Sequence, residues 1–240
     1  MYLHRTYRNF CENQRLIPFQ VTIKETDLYI KAHTRLENEA RELIATFRSQ
    51  VEDYIQFHPS FKKSLTPLPF DESAPPIVKE MLNASSPVGV GPMASVAGAI
   101  AEFVGKSLLK YSPEVIVENG GDIFAQISQN IVVEIFAGKS PLSQKIGLKI
   151  PPSDMPLGIC TSSGTVGPSL SFGKADSVTV LSSSTSLADA FSTSIGNTIN
   201  KESDIKRGFN KVKSIPQIKG VIIILGEKIA VWGNMELIKL

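Results

Sequence analysis

Val117-Glu118-Asn119-Gly120-Gly121-Asp122 is the stretch on which the reading of this chain turns. A strand-like run from Glu114 to Glu118 ends in two glycines and a carboxylate, the composition with which a backbone bends close against a ligand. About seventy residues further on, Leu187-Ala188-Asp189-Ala190-Phe191-Ser192-Thr193 sets a carboxylate and a hydroxyl at i and i+4 on one helical face. Two oxygens at that spacing converge on one cation. Between the two segments, Thr161-Ser162-Ser163-Gly164, with Thr165 and Gly167 beyond, supplies hydroxyls and amides suited to phosphate.

Each motif also has a plain structural reading. Asp122 satisfies a turn after Gly120 and Gly121. Ser186-Leu187-Ala188-Asp189 has the spacing of an N-cap with an acidic residue at the third helical position. Against that, Asp189, Thr193 and Asn197 recur every four residues as a polar stripe, while Leu187, Ala190, Phe191 and Ile195 form the apolar side. A polar stripe on an otherwise buried helix has a ligand to face. Gly89-Val90-Gly91-Pro92-Met93-Ala94 matches a dinucleotide fingerprint in outline, but Asn83-Ala84-Ser85-Ser86-Pro87 precedes it where a parallel strand is required. Its better reading is a helix N-terminus whose free amides and small residues admit a phosphate, a carbonyl-bound cation or a flat ring. His4, His33 and His58 lie far from all of these motifs, so no Ser-His-Asp arrangement can be built.

Composition narrows the class. The 240 residues are 42% hydrophobic, enough for a substantial core, and 25 Lys and Arg against 23 Asp and Glu leave no charge excess to recruit nucleic acid or an anionic membrane. Cys11 and Cys160 are far apart without a C-x-x-C spacing, which argues against a zinc site or a disulfide scaffold and for a reducing compartment. Met1 to Gln20 carries His4, Arg5, Arg8 and Arg15 with no apolar region of a secretory signal, and Val221 to Leu225 is the longest apolar run. A cytoplasmic protein is expected.

Hydrophobic periodicity predicts an opening hairpin over Leu16 to Lys31, broken at Glu25-Thr26-Asp27. A long amphipathic helix follows, started by a Thr34/Glu37 capping box and stopped at Pro59. Pro59, Pro67, Pro69, Pro75 and Pro76 punctuate an irregular connection. Met93 to Leu109, rich in Ala, Gly and Val, reads as a helix packed closely on a sheet. Strands are expected at 115–117, 123–127, 131–136, 146–150, 157–160 and 177–181, then the helix that carries Asp189, then a hairpin over 220–232 turning near Gly226. Long helices among antiparallel strands make the fold class α+β, and no charge run or Gly/Ser tract divides the chain into domains.

From Gly89 to Asn197 the order of these motifs resembles the ApbE family, the FAD:protein FMN transferases. Gly91 to Gly98 looks like its helix-opening segment, Glu118 to Asp122 its Gly-Gly-Asp turn, Thr161 to Gly164 its Thr-Ser-Gly turn, and Ala188 to Thr193 its Ala-Asp-Ala-x-x-Thr helix. The resemblance implies that Asp189 and Thr193, with the Ala94 carbonyl, bind magnesium, and that the metal holds the pyrophosphate of FAD. It further implies that Gly91, Met93, Asn119, Gly120, Gly121, Asp122, Thr161, Ser162, Ser163 and Gly164 face the FAD or FMN, and it admits a protein acceptor and a homo-oligomer. Ser95 stands where the enzymes have a lysine, and Val166 to Asp176 holds neither the histidine nor the Asp-Pro pair of their His-x-x-Asp-Pro-x-x-Gly loop. The chain therefore resembles a divergent branch. Three readings stay open: a magnesium-dependent flavin or phosphoryl transferase, a non-catalytic binding or assembly protein with a vestigial pocket, and an enzyme on another small molecule with Asp122 or Glu118 as acid or base.

Overall fold

The computed structural model describes residues 15–164 and 172–240, so His4, Arg5, Arg8, Cys11, Thr165 and Gly167 lie outside the described residues. Eight strands form one antiparallel sheet: β1 (Ile17–Ile23), β2 (Thr26–Ala32), β3 (Val115–Asn119), β4 (Asp122–Gln126), β7 (Leu157–Ser162), β8 (Ser177–Ser182), β9 (Ile218–Leu225) and β10 (Lys228–Gly233), in that spatial order. A smaller antiparallel sheet of three strands, β11 (Glu236–Lys239), β6 (Ile146–Ile150) and β5 (Ile131–Glu134), covers one face of it. Helices α1 (Glu37–Phe57), α3 (Pro76–Ser85) and α4 (Val96–Leu108) cover the other face over β1 to β4, while α5 (Thr185–Gly196) and α6 (Ile205–Val212) cover it over β7 to β9. The short α2 (Pro59–Lys63) buries Phe61 beneath α1.

Strand residues alternate faces, so a sheet covered on both sides needs apolar residues at consecutive positions. Val115 and Val117 enter the core under α1 and α4 whereas Ile116 enters the core against the small sheet; Val221 and Ile223 divide in the same way from Ile222 and Ile224. The apolar run at 221–225, too short for a membrane span, thus belongs to an inner strand, β9, buried on both faces. No single helix among the described residues is long and apolar enough to cross a membrane.

Several local expectations are corrected. The first helix has Leu36 at its N-cap and no side-chain cap, so the Thr34/Glu37 capping box does not form. Thr26 and Asp27 already belong to β2, opposite Ile23 and Thr22, which moves the hairpin turn to Lys24–Glu25. The proline-rich connection contains α2 and α3, each with a proline in its first turn, where the missing N–H is not needed. Neither α6 nor β11 was expected from periodicity.

Glu114, at the entry to β3, is 4% exposed and ties three segments together. It accepts hydrogen bonds from the Ser128 amide and hydroxyl, lies 2.8 Å from His33 Nε2 and 3.3 Å from Arg15 Nη2. Burial alone would raise its pKa, but the Ser128 and His33 hydrogen bonds and the Arg15 charge outweigh it and hold the carboxyl down to about 2. A depressed carboxylate stabilises the fold above its unfolded pKa and loses that contribution as pH falls through the folded value. Between pH 5 and 2, roughly 3 kcal/mol of stability should therefore disappear from this cluster. Glu114→Gln should show a visibly flatter acid unfolding curve by circular dichroism; a curve parallel to the parent would remove the cluster as the cause.

Candidate active site

The Asn119–Asp122 pair closes the β3–β4 hairpin with Gly120 and Gly121 between them at φ 69° and 109°. A two-residue hairpin turn with both φ positive calls for glycine, so the turn itself explains the pair without a ligand. The Gly121 amide donates to Glu118 Oε1 at 2.8 Å. A Cβ on Gly121 would have room, since its nearest neighbour is the Thr161 carbonyl at 3.8 Å, and the cost of a side chain there comes from φ. Gly121→Ala should thus lower stability by about 1–2 kcal/mol in a thermal melt, and a melt equal to the parent's would overturn the strained-turn account.

The turn delivers Asp122 to the first position of β4, opposite Cys160 of β7. Asp122 is 7% exposed, and its Oδ1 is buried with no hydrogen-bond partner among the described residues. The Cys160 thiol beside it donates to the Thr185 carbonyl at 3.3 Å. Burial pushes the Asp122 carboxyl well above the usual carboxylate range; the Asp189 and Glu118 charges push the same way, against weaker support from Cys160 and the Thr161 amide.

Asp189 comes from α5. The N-cap of that helix is Ser184, whose Oγ accepts from the Leu187 amide at 3.2 Å, so Ser186 is not the cap and Asp189 is no capping residue. Instead Asp189, 8% exposed, accepts from the Gly98 amide of α4 at 2.8 Å. Burial raises its carboxyl to about 7, with the Gly98 and Ala97 amides opposing. Such closeness between α4 and α5 requires a residue without a side chain: a Cβ on Gly98 would fall 2.6 Å from the Thr185 carbonyl oxygen and 2.7 Å from Asp189 Cβ. Asn119 Nδ2 donates to the Ala97 carbonyl at 3.0 Å, which fastens the hairpin to the same end of α4.

The structure therefore brings together Asn119, Gly121, Asp122 and Asp189 around the first turn of α4. Thr161 and Ser162 are strand residues of β7, paired with Thr179 and Val178, not members of a surface loop. Thr161 Oγ1 lies 2.9 Å from Thr179 Oγ1. Ser163 is half-buried beyond the strand end. The exposed Gly164 donates its amide to the Ala175 carbonyl at 2.9 Å. Gly91 is buried where a Cβ would overlap the Ser64 carbonyl, so its smallness serves packing of the 64–65 backbone. Met93 and Ala94 are half-buried in a 3-10 turn at Pro92–Ser95, preceded by α3 and a second 3-10 turn rather than a strand, which excludes the dinucleotide-fold reading. Of the polar stripe, Thr193 is half-buried and its hydroxyl makes no hydrogen bond among the described residues, while Asn197 Oδ1 is engaged by the Phe172 amide at 3.0 Å.

Two residues escaped the sequence reading. In the sequence Cys160 speaks only to redox compartment, yet it sits against Asp122. Glu102 lies 2% exposed inside α4, where its Oε2 accepts from the Ser186 amide at 3.0 Å and hydroxyl at 3.1 Å while Lys106 pairs with Oε1 at 2.6 Å. A lone i, i+4 Glu–Lys pair within an apolar helix was the available signal.

No group of three or more His, Cys, Asp or Glu side chains converges on one point among the described residues. Two carboxylates, a hydroxyl and backbone carbonyls form an oxygen-only donor set, the kind that suits magnesium rather than zinc. The orphaned Asp122 Oδ1 beside a second buried carboxylate is what such an ion would relieve, so the residues fit the group.

The comparisons agree with this architecture. A family model described as AbpE bacteria matches residues 8–214. A UPF0280 protein of Methanosarcina barkeri is 42% identical over 217 residues, covering 89% of this chain and 85% of its own length. Another from Methanococcus aeolicus is 41% identical over 226 residues, covering 92% and 91%. The chain belongs to the UPF0280 family of the ApbE-like superfamily. Among solved structures, a mutant of the flavin transferase ApbE from Vibrio cholerae superposes with a TM-score of 0.57 at 14% identity, covering 91% of this chain and 97% of that one. The ApbE protein of Thermotoga maritima does so at 0.52 and 12%, covering 90% and 96%. Identities this low establish the shared α+β fold, as the motif order led one to expect.

Proposed function

We propose that this UPF0280 family member, acting as a single domain in the cytoplasm, binds a flavin nucleotide, FAD or FMN, through magnesium at the Asp122–Asp189 cluster. The observation that carries the reading is the pair of buried carboxylates, drawn from segments far apart in sequence, of which Asp122 Oδ1 has no partner among the described residues. Asp189, Thr193 and the Ala94 carbonyl would hold the cation, with Asp122 beside them. When bound, magnesium would neutralise the charge of a pyrophosphate and fix its orientation. Asn119 and the Gly120–Gly121 turn offer short, backbone-rich surface next to Asp122, and Met93, Thr161, Ser162 and Ser163 would face the nucleotide. Gly91 and Gly164 shape the surrounding backbone through packing.

Burial excludes water from both carboxylates, and the Ala97 and Gly98 amides keep Asp189 oriented toward α4 whether or not it carries a proton. Transfer of FMN to a protein acceptor is the stronger form of the proposal. Binding without transfer is favoured by one feature, the absence of histidine and of an Asp-Pro pair from residues 166–176. Titration of FAD with and without magnesium, followed by native mass spectrometry, tests binding; in-gel fluorescence of an acceptor protein tests transfer. Magnesium-dependent FAD binding that disappears in Asp189→Ala is expected, with acceptor labelling weak or absent. FAD binding indifferent to both magnesium and the substitution would overturn the assignment.

A further inference from the structure

On the side of α5 turned away from Asp189, a cleft of about 450 Å³ opens between α3, the N-terminus of α5 and the segment joining α6 to β9. Leu187 lines it, and a side chain two positions from Asp189 points about 200° away around the helix. The cleft and the carboxylate cluster are therefore separate places on one element. Leu187, Ile215 and Pro216 give it apolar walls, and Glu80, Asn83 and Ser184 are among its polar points.

The charges around it do not balance. Glu80 Oε1 accepts from Ser184 Oγ at 2.9 Å and forms no ion pair among the described residues. Behind it, Glu102 is almost fully buried and takes the nearby cation, Lys106, at 2.6 Å. Two carboxylates thus share one lysine. Burial, then the Glu102 charge, raises the Glu80 pKa, as expected for a carboxylate short of a counter-charge. The N-terminus of α5 would ordinarily favour an anion, but its amides at Ser186 and Leu187 are already taken by Glu102 and Ser184. A divalent metal would want more oxygen ligands than one wall carboxylate and its neighbours offer.

We propose that this cleft is a binding site for a small organic cation, a primary ammonium on a short apolar stem, with Glu80 pairing the ammonium and Leu187, Ile215 and Pro216 packing the stem. Pockets of this size, mostly apolar with a few placed polar groups, suit small molecules.

Calorimetric titration of the full chain with benzylammonium and with benzyl alcohol, its uncharged counterpart, tests the assignment. One benzylammonium per chain should bind, at least tenfold tighter than the alcohol. Glu80→Gln should weaken the ammonium at least tenfold and leave the alcohol unchanged, and Asn83→Trp, which fills the cleft from an exposed position, should weaken both. Equal affinity for the two probes, or either variant binding the ammonium like the parent, would overturn the proposal. Competition by excess magnesium would do so as well, since it would place the ammonium at the Asp122–Asp189 cluster.

Discussion

Asp122→Asn is expected to stabilise the metal-free protein while weakening its response to magnesium. Asp189, with its carboxyl raised by burial to about 7, keeps a proton in the folded state that it loses near pH 4 when unfolded; Asp122 is shifted in the same direction. The folded chain then binds more protons than the unfolded one, so stability falls as pH rises through the window from about 4 to about 7. At roughly 1.4 kcal/mol per pKa unit, the fall approaches about 4 kcal/mol for Asp189 alone as an upper value. Replacing Asp122 with a group that is neutral in both states removes the cost of burying its carboxyl, charged or protonated, and returns about 1–3 kcal/mol at pH 8. A saturating cation does the same for the parent, on the order of 3 kcal/mol at a hundredfold excess over Kd. Urea unfolding at pH 5 and pH 8, with and without magnesium, measures all of this. A parent curve that is flat with pH, or a variant stabilised by magnesium as fully as the parent, would show that these two carboxylates are neither coupled nor part of one cation site.

The second large effect should come from Gly98→Ala. Its new methyl would meet the Thr185 carbonyl at 2.6 Å and Asp189 Cβ at 2.7 Å, contacts too short to survive, and one of them is backbone that cannot swing aside. Forcing α4 and α5 apart should cost about 3 kcal/mol, the upper part of the range for overpacked cores, and should lengthen the 2.8 Å bond from the Gly98 amide to Asp189. Thermal melts read the stability. Magnesium binding reads the site, and it should weaken with the fold still intact at low temperature. A substitution that leaves both unchanged would mean that the helices are looser than their spacing indicates.

The chain's own pattern carried much of the fold. Alternation over 16–31 and the turn signal at Gly226 within 220–232 indicated hairpins, and the Ala-Gly-Val-rich run at 93–109 indicated a helix in close contact, which forms over 96–108. The order of the Gly-Gly-Asp, Thr-Ser and Ala-Asp-Ala-x-x-Thr segments was enough to indicate the superfamily. Proline-initiated α3 and the short α6 were not legible, because a proline reads locally as a breaker and a helix of eight residues is too short to stand without tertiary packing. The cap of α5 is likewise ambiguous in the sequence. Ser182, Ser183, Ser184, Thr185 and Ser186 are all suitable caps by residue type, and only packing against Glu80 and Glu102 selects Ser184.

What the sequence by itself determined was local: which segments alternate, where glycines permit positive φ, and which residues carry oxygen. Tertiary structure alone decided which of those oxygens meet. Asp122 and Asp189 lie 67 positions apart (189 − 122) and become neighbours because β4 and β7 pair in the sheet while Gly98 lets α5 settle against α4. Burial then converts two ordinary carboxylates into a strained pair, since the charged form loses its water and gains a like-charged neighbour. Neither the dielectric nor the distance that sets this strain is a property of the segments taken singly, and both arise only when the layers close.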